Sequence, residues 1–351
     1  MNGTTENRAS ESGHIPVMCS QVVSALAPCD NEIFVDGTFG GGGYSRALLE
    51  AANCVVWGVD RDPDAIARGE VLAQQYDGRL KLVGGCFSEM DKLLEERGVR
   101  SVDGIALDLG VSSWQLDDPD RGFSFRYDGP LDMRMGGAVS GGLSAADLVN
   151  DFDEDELARI FRRYGEERSA RRVARAIVAA RAEEPITSTA RLADIIETEL
   201  GTRFGGGRPG GRKIHPATKS FQALRIYVND ELGELSRGLV AAERLLGPGG
   251  RLAIVAFHSL EDRLVKGFLR QRSGLLSRGS RHRPEAEPGA MPSFELLFRN
   301  TVKPEAEEIA RNSRSRSARM RAARRTDSPV WPTADQSPDK GATHITSRGA
   351  V

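Results

Sequence analysis

No run of this 351-residue chain approaches 18 consecutive apolar residues, so the sequence offers no membrane-spanning helix. The first thirteen residues, MNGTTENRASESG, are polar and hold no apolar segment of the kind a secretory signal needs. Cysteine is scarce. Cys19, Cys29, Cys54 and Cys86 form no C-x-x-C pair and no zinc-ligand spacing, so neither a disulfide scaffold nor a metal is required by the sequence. Cys54 and Cys86 stand in apolar surroundings and read as buried thiols, which suits a reducing compartment and predicts a cytoplasmic protein. An excess of charge is missing too: 48 basic and 50 acidic residues leave a net charge of −2. There is no internal repeat.

What is present is an ordinary globular composition, 39% hydrophobic and 28% charged, in a chain long enough for one large domain or two smaller ones. The charge is unevenly spread. Residues 162–181, 203–219 and 311–325 are locally basic, while residues 147–156 are acidic. Basic islands permit a polyanion partner, although solvated surface faces read the same way.

The stretch that organises the rest is residues 32–46, EIFVDGTFGGGGYSR. A short apolar run ends in Asp36, a glycine turn follows, and a helix-like segment begins at Tyr44. Strand, acid, glycine turn and helix make the layout of a nucleotide-type cofactor site, because glycine lets backbone approach a ligand and a helix N-terminus offers free N–H groups. A plain strand-to-helix turn is the bland alternative, weakened by the folding entropy that four consecutive glycines cost.

Two more apolar runs end in carboxylates: residues 54–59 before Asp60, and 102–107 before Asp108. Residues 80–83 read as a further strand, and helices are expected over 62–75 and 87–97. This pattern predicts a parallel βαβ sheet with three acids at the carboxyl ends of its strands, where such sheets hold their chemistry. The rhythm then stops for about a hundred residues of loop and amphipathic helices, before residues 218–246 (one long helix), a strand over 251–257 and a new helix. Residues 294–298 and 318–323 suit a closing pair of strands. The expected organisation is an N-terminal disordered tail (1–13), a sheet domain in two parts (14–115 and 216–325), a substrate-facing helical insert (116–215) and a disordered C-terminal tail (326–351).

The glycine turn does not fit a dinucleotide. G-x-G-x-x-G fails in every register: counted from Gly40 the third position is Ser45, and from Gly41 it is Arg46. An acid at the head of the turn would repel a pyrophosphate, whereas it can pair with an ammonium group. Asp60, 24 residues after Asp36, is placed to accept hydrogen bonds from ribose hydroxyls. Both features favour S-adenosylmethionine over NAD.

The phrases DGTFGGGGYSR, DRDPDAI, DGIALDLGVSSWQLDDPDRGFSFRYDGPLDMRM, YGEERSARRVARAI, HPATKSFQALRIYVNDEL, GGRLAIVAFHSLEDR and RNSRSRSARMRAARR resemble the MraW/RsmH family of bacterial small-subunit rRNA cytosine-N4 methyltransferases. The resemblance spans roughly residues 14–325. It implies an α/β, class I S-adenosylmethionine-dependent methyltransferase fold, Rossmann-like and mostly parallel, with an inserted all-helical domain. It also implies N4-methylation of a cytidine in the decoding region of 16S rRNA, with the 30S subunit as the expected partner and a homodimer left open. By motif match the donor contacts fall on Gly42, Gly43, Tyr44, Asp60, Phe87, Asp108 and Gln115, beside Asp36. The family usually carries His where this chain has Tyr44, which is harmless for a backbone contact and questions any side-chain role.

Amino-methyltransferases commonly place an acceptor for the target amine after the fourth strand, in an N/D-P-P-Y motif. Here that position reads Asp108-Leu109-Gly110-Val111, so Asp108 is the candidate acceptor, with donor contact as its alternative role. His258 is a second candidate, for base contact or for packing, and Ser259 to Asp262 read as a capping box. Asp132 and Arg134 either line the substrate entrance or pair with each other. Phe123, Phe125 and Tyr127 are stacking candidates or insert core, interleaved with the RNA-binding candidates Arg121 and Arg126, and Arg203, Arg208, Arg212 and Lys213 are candidates for the RNA backbone. Rival readings are an amino-methyltransferase for DNA or a different RNA, an NAD-dependent oxidoreductase, and a non-catalytic RNA-binding protein. Calorimetry separates donor from dinucleotide: the protein is expected to bind S-adenosylmethionine and not NADH.

Overall fold

The computed structural model describes residues 16–201, 215–275 and 291–332. Helix α1 (Cys19–Leu26) precedes β1 (Ile33–Asp36) and α2 (Gly43–Ala51); β2 (Val55–Asp60) leads to α3 (Pro63–Ala73), β3 (Leu80–Gly84) to α4 (Met90–Glu95), and β4 (Val102–Asp108) to α5 (Ser113–Asp117). Helices α6 (Ala145–Asp151), α7 (Glu154–Gly165), α8 (Ala170–Glu183), α9 (Thr189–Leu200), α10 (Thr218–Val228) and α11 (Glu231–Leu245) follow. The chain then returns to β5 (Leu246–Ala256), α12 (Ser259–Arg272), β6 (Phe294–Leu296), α13 (Ala306–Arg311) and β7 (Arg319–Arg325).

The strands form one sheet in the order β3-β2-β1-β4-β5-β7-β6. It is parallel from β3 to β5, and β7 lies antiparallel between β5 and β6. Strand order reverses between β1 and β4, and at such a switch point the two flanking connections leave to opposite faces and open a crevice. Alternation along the strands fills both faces. Phe34, Val56, Ala106 and Val255 enter one apolar cluster, while Val35, Trp57, Ile105, Leu107 and Ile254 enter the other.

Helices α6 to α10 bury a third core of their own, with Leu148, Leu157, Phe161, Val173, Ile177, Leu192 and Ile196 at its centre. Each of α6 and α7 starts with a reciprocal cap, Ser144 with Asp147 and Asp153 with Glu156. On α8 the apolar face is buried, and Arg171, Arg172 and Arg175 reach out to Asp155, Glu199 and Glu154.

Several elements differ from expectation for local reasons. Residues 218–246 are not one helix: the chain breaks at Asn229–Asp230, where Asp230 adopts a left-handed φ of 47°. Asn229 is buried and its amide serves as a clamp, accepting from Met135 N (2.8 Å) and donating to Met133 O (2.7 Å) and Arg225 O (2.9 Å). By packing, α10 belongs with the helical core, since Phe221, Ala223 and Leu224 are part of it, so a boundary at 215/216 lies one helix early. Residues 87–97 begin as a 3₁₀ turn over Phe87–Glu89 and become α-helical at Met90. The start of the C-terminal tail is ordered against the body: Trp331 Nε1 donates to Met291 O at 2.9 Å and the Arg272 guanidinium lies over its ring at 4.7 Å. The expected tail over 1–13, the basic loop with Arg212 and Lys213, and most of the 273–292 loop fall outside the described residues. Among the described residues no helix is long and apolar enough to cross a membrane.

The Asn229 clamp is testable. Asn229→Ala leaves buried backbone groups of Met133 and Met135 without that partner, so urea denaturation is expected to show a loss of about 1–3 kcal/mol.

Candidate functional site

The carboxyl ends of β1, β2 and β4 border one cavity, closed on the far side by α5, α11 and the start of α12. The glycine turn forms its first wall. Gly42 has φ 72°, and a Cβ there would stand 2.7 Å from Leu72 Cδ2 and 2.8 Å from Phe39 Cζ, so both conformation and space demand glycine. At Gly43 a Cβ would meet Pro16 Cβ at 2.7 Å.

Asp36 is buried, and its Oδ2 accepts from Ser45 N (3.1 Å) and Ser45 Oγ (2.8 Å), which ties the start of α2 to the end of β1. Its Oδ1 is buried with no hydrogen-bond partner. Burial pushes the Asp36 carboxyl up from 3.8 to about 6, against the Ser45 hydrogen bonds, which pull it down. Asp60 pins the turn to β2: Oδ2 accepts from Gly40 N at 2.7 Å and Oδ1 from Asp62 N at 2.9 Å. Each of those oxygens keeps a second lone pair for a ligand hydroxyl. Burial raises this carboxyl as well.

The backbone N–H of Asp108 donates to Thr38 Oγ1 at 2.6 Å. Its side-chain Oδ1 is a second buried oxygen without a partner. Burial, followed by the charges of Asp36 and Glu261, holds this carboxyl well above the usual range. Tyr44 stands beside it, buried, and its hydroxyl donates to Val17 O at 2.6 Å. The Tyr44 side chain thus anchors the segment leading into α1, a job set by its own hydroxyl.

Phe87 lines the cavity and packs so closely on α11 that a Cβ at Gly238 would meet its Cε2 at 2.4 Å. Gln115 lines it too, but its amide is committed: Oε1 accepts from Ser112 N (3.1 Å), and Nε2 donates to Asp62 Oδ2 (3.0 Å) and Met135 O (3.2 Å). Asp62, which the sequence reading passed over, is the hub of this corner. It caps α3 and also receives Arg121 Nη1 at 2.9 Å. Arg121 further donates to Met135 O at 2.6 Å and to Arg134 O at 3.2 Å. That guanidinium is an internal tie and is not available as the RNA contact expected of it.

Other candidates also resolve. Phe123 is buried, and Phe125 packs on Phe221 and His215 with ring centroids 4.8 and 4.6 Å away, so both are core of the helical body. Tyr127 and Arg126 remain exposed. Asp132 and Arg134 pair with each other in their loop. The cap of α12 is His258 rather than Ser259: His258 Nδ1 accepts from Glu261 N at 3.4 Å, while Glu261 Oε2 accepts from His258 N at 3.2 Å. Ser259 Oγ donates instead to Glu166 Oε2 at 2.9 Å. His258 is absent from the cavity wall, and Glu261 and Phe257 stand there in its place. Glu231 and Glu234 from α11 complete that side, paired with Arg225 (2.7 and 2.9 Å) and Arg61 (3.0 Å). Arg314, from the segment before β7, reaches α5 at Ser113 and Asp117 across the mouth.

Residues 11–326 match the model of the MraW methylase family. The chain belongs to the MraW methylase family. It is 55% identical over 324 residues to the ribosomal RNA small subunit methyltransferase H of Hyphomonas neptunium, covering 92% of each chain. It is 58% identical over 317 residues to the protein of that name from Rhodospirillum centenum, covering 90% of this chain and 93% of that one. Among solved structures, an rRNA methylase from Streptococcus thermophilus aligns over 88% of this chain and 93% of its own at 11% identity, with a TM-score of 0.33. Its likeness is too distant to add to the family match. The chain is a methyltransferase, with the α/β Rossmann-like sheet of that class of enzyme.

For this MraW methylase the raised Asp36 carboxyl has a consequence for stability. A carboxyl raised from 3.8 to about 6 by folding binds more protons folded than unfolded, so stability falls as pH rises through that window. Asp36→Asn removes this penalty. Near pH 7.5 the donor-free variant is expected to be more stable than wild type by up to about 3 kcal/mol, a difference that vanishes below about pH 4. Urea unfolding at the two pH values checks it.

Proposed function

We propose that this chain methylates the N4 amine of a cytidine in the decoding region of bacterial 16S rRNA, held in the 30S subunit in the cytoplasm, with S-adenosylmethionine as donor. The observation that carries the donor assignment is the pair of buried, unpartnered oxygens, Asp36 Oδ1 and Asp108 Oδ1, on one cavity wall. Two such oxygens are costly in an apolar setting unless a cation arrives, and the donor carries both an ammonium and a sulfonium. A pyrophosphate would meet seven lining carboxylates, which argues against NAD. The relatives named above supply the RNA part of the reading.

When bound, S-adenosylmethionine supplies an electrophilic methyl group on a good leaving group. The protein's share is then alignment and reception of charge. Gly42 and Gly43 admit close backbone approach, Asp60 offers lone pairs to ribose hydroxyls, and Phe87 and Glu234 border the space beyond β3 and α11. The helical body from α6 to α10 would carry the RNA-facing surface, with exposed Arg126 and Tyr127 beside it and Arg212 and Lys213 in the basic loop. Backbone contacts of that kind weaken as salt rises.

Mass mapping of rRNA nucleosides tests the function. Cells lacking the gene are expected to lose N4 methylation of one decoding-region cytidine, and the purified protein should restore it on their 30S subunits. Unchanged nucleosides in such cells, or equal methylation of naked DNA, would count against it.

A further inference from the structure

We propose that Glu261, rather than Asp108, is the carboxylate that receives the hydrogen of the target amine, in a corner it forms with Phe257, Gly110 and Glu231. This rests on the cytidine N4 methylation proposed above.

Glu261 sits one turn into α12, just after β5, and lines the cavity on the side of β4 away from β1. Its two oxygens do different things. Oε2 is fixed by the N–H groups of Phe257 (2.8 Å) and His258 (3.2 Å). Both backbone N–H bonds go to Oε2, so Oε1, with His258 Nε2 beside it, keeps a lone pair for a ligand in the cavity. His258 Nε2 lies 3.1 Å from that Oε1 without the alignment of a hydrogen bond, and is itself buried without a hydrogen-bond partner. Ligand atoms of Glu231, His258 and Glu261 fall within 4.8 Å of one another. Such spacing also occurs at cation sites, but here Arg225 holds both oxygens of Glu231, so the cluster already contains its positive charge.

The neighbours of each carboxyl set which of the two ionises more readily. Burial pushes Glu261 up, but His258, Arg225 and the Phe257 N–H outweigh it and leave it below the usual value. Asp108 faces Asp36 and Glu261 and goes the other way. Of these two carboxyls Glu261 is therefore the stronger acid, and with Oε2 already fixed by two N–H groups it is the one aimed to receive a proton. Methylation forms the N4–CH3 bond, breaks the S–CH3 bond with its electron pair returning to sulfur, and leaves one proton to depart from N4. A methylated aminium attached to an electron-poor ring is far more acidic than a carboxylic acid, so even a low-lying carboxylate suffices as base. Glu261 Oε1 takes that proton.

The test uses 30S subunits from cells lacking the gene. Glu261→Gln is expected to lower kcat about 100-fold, the usual scale for a positioned base, with donor affinity by calorimetry unchanged within about twofold. Binding gives an independent reading. S-adenosylhomocysteine-saturated wild type should prefer cytidine to N4,N4-dimethylcytidine by about tenfold, and the Gln variant should lose that preference with the charge-assisted hydrogen bond. Wild-type kcat should be flat from about pH 6 to 8, because His258, Arg225, Glu231 and Asp108, the groups facing Glu261, leave it ionised throughout. Turnover within about threefold for the Gln variant, a retained preference, or a kcat that climbs tenfold per unit through neutrality would each overturn the assignment. The last needs no variant and would mark Asp108. Wild type inactive on 30S subunits would sink the function reading instead.

Discussion

Seven carboxylates line one cavity, and the cost of burying that much negative charge shapes everything around it. The protein meets the cost in three ways. Asp60 and Glu261 are held by backbone N–H groups at the turn and at the α12 cap. Asp62, Glu231 and Glu234 are paired with Arg121, Arg225 and Arg61. Asp36 and Asp108 keep an oxygen with no partner, and burial raises both carboxyls, with neighbouring carboxylate charge adding to it at Asp108. Glu234 Oε1 is likewise without a hydrogen-bond partner, but its other oxygen is paired with Arg61, so Asp36 and Asp108 are the two for which no guanidinium is at hand.

The same charges join the helical body to the sheet. Arg121 and Gln115, on the chain leaving β4, grip Asp62 at the end of β2. Arg225 at the end of α10 grips Glu231 at the start of α11, and Asn229 between them holds the loop around Met133 and Met135. The break in the helix at Asp230 is therefore functional geometry: a straight helix would carry Arg225 and Glu231 on without turning one onto the other. Packing of Phe221 and Leu224 into the helical core, and of Leu235 and Leu239 onto the sheet, then follows from the bend.

Much of the sheet was legible because short apolar runs and the three terminal acids are local patterns, and β1 to β4 lie where the apolar runs put them. The bend was not, because 218–246 has helical periodicity throughout and only the tertiary clamp on Asn229 favours the break. The cap at His258 was misread by one residue for a similar reason. Ser259 is the better intrinsic N-cap, yet its hydroxyl is drawn to Glu166 on the neighbouring helical body, and His258 takes the vacant place. Arg121 reads as a surface cation in sequence, and only Asp62, 59 residues earlier, makes it internal. Asp62 itself was hidden behind Asp60: in DRDPD it has the signature of a helix cap, and nothing local says that its second oxygen serves two distant residues.

Two carboxyls raised at one end of the cavity and one lowered at the other show how this site divides its work. At the β1–β4 end Asp36 and Asp108 are buried without a guanidinium partner, so both carboxyls are raised, and a ligand that brings its own cation would favour their ionised forms. At the β5–α12 end Arg225 and the N–H groups around Glu261 hold its carboxyl below the ordinary value before anything arrives, which suits a neutral amine that must give up a proton. Had the cations been placed the other way round, the donor's charge would find no partner and the amine no base. The placement of Arg225, fixed by the bend after α10, is thus what separates a donor end from an acceptor end in a single cavity.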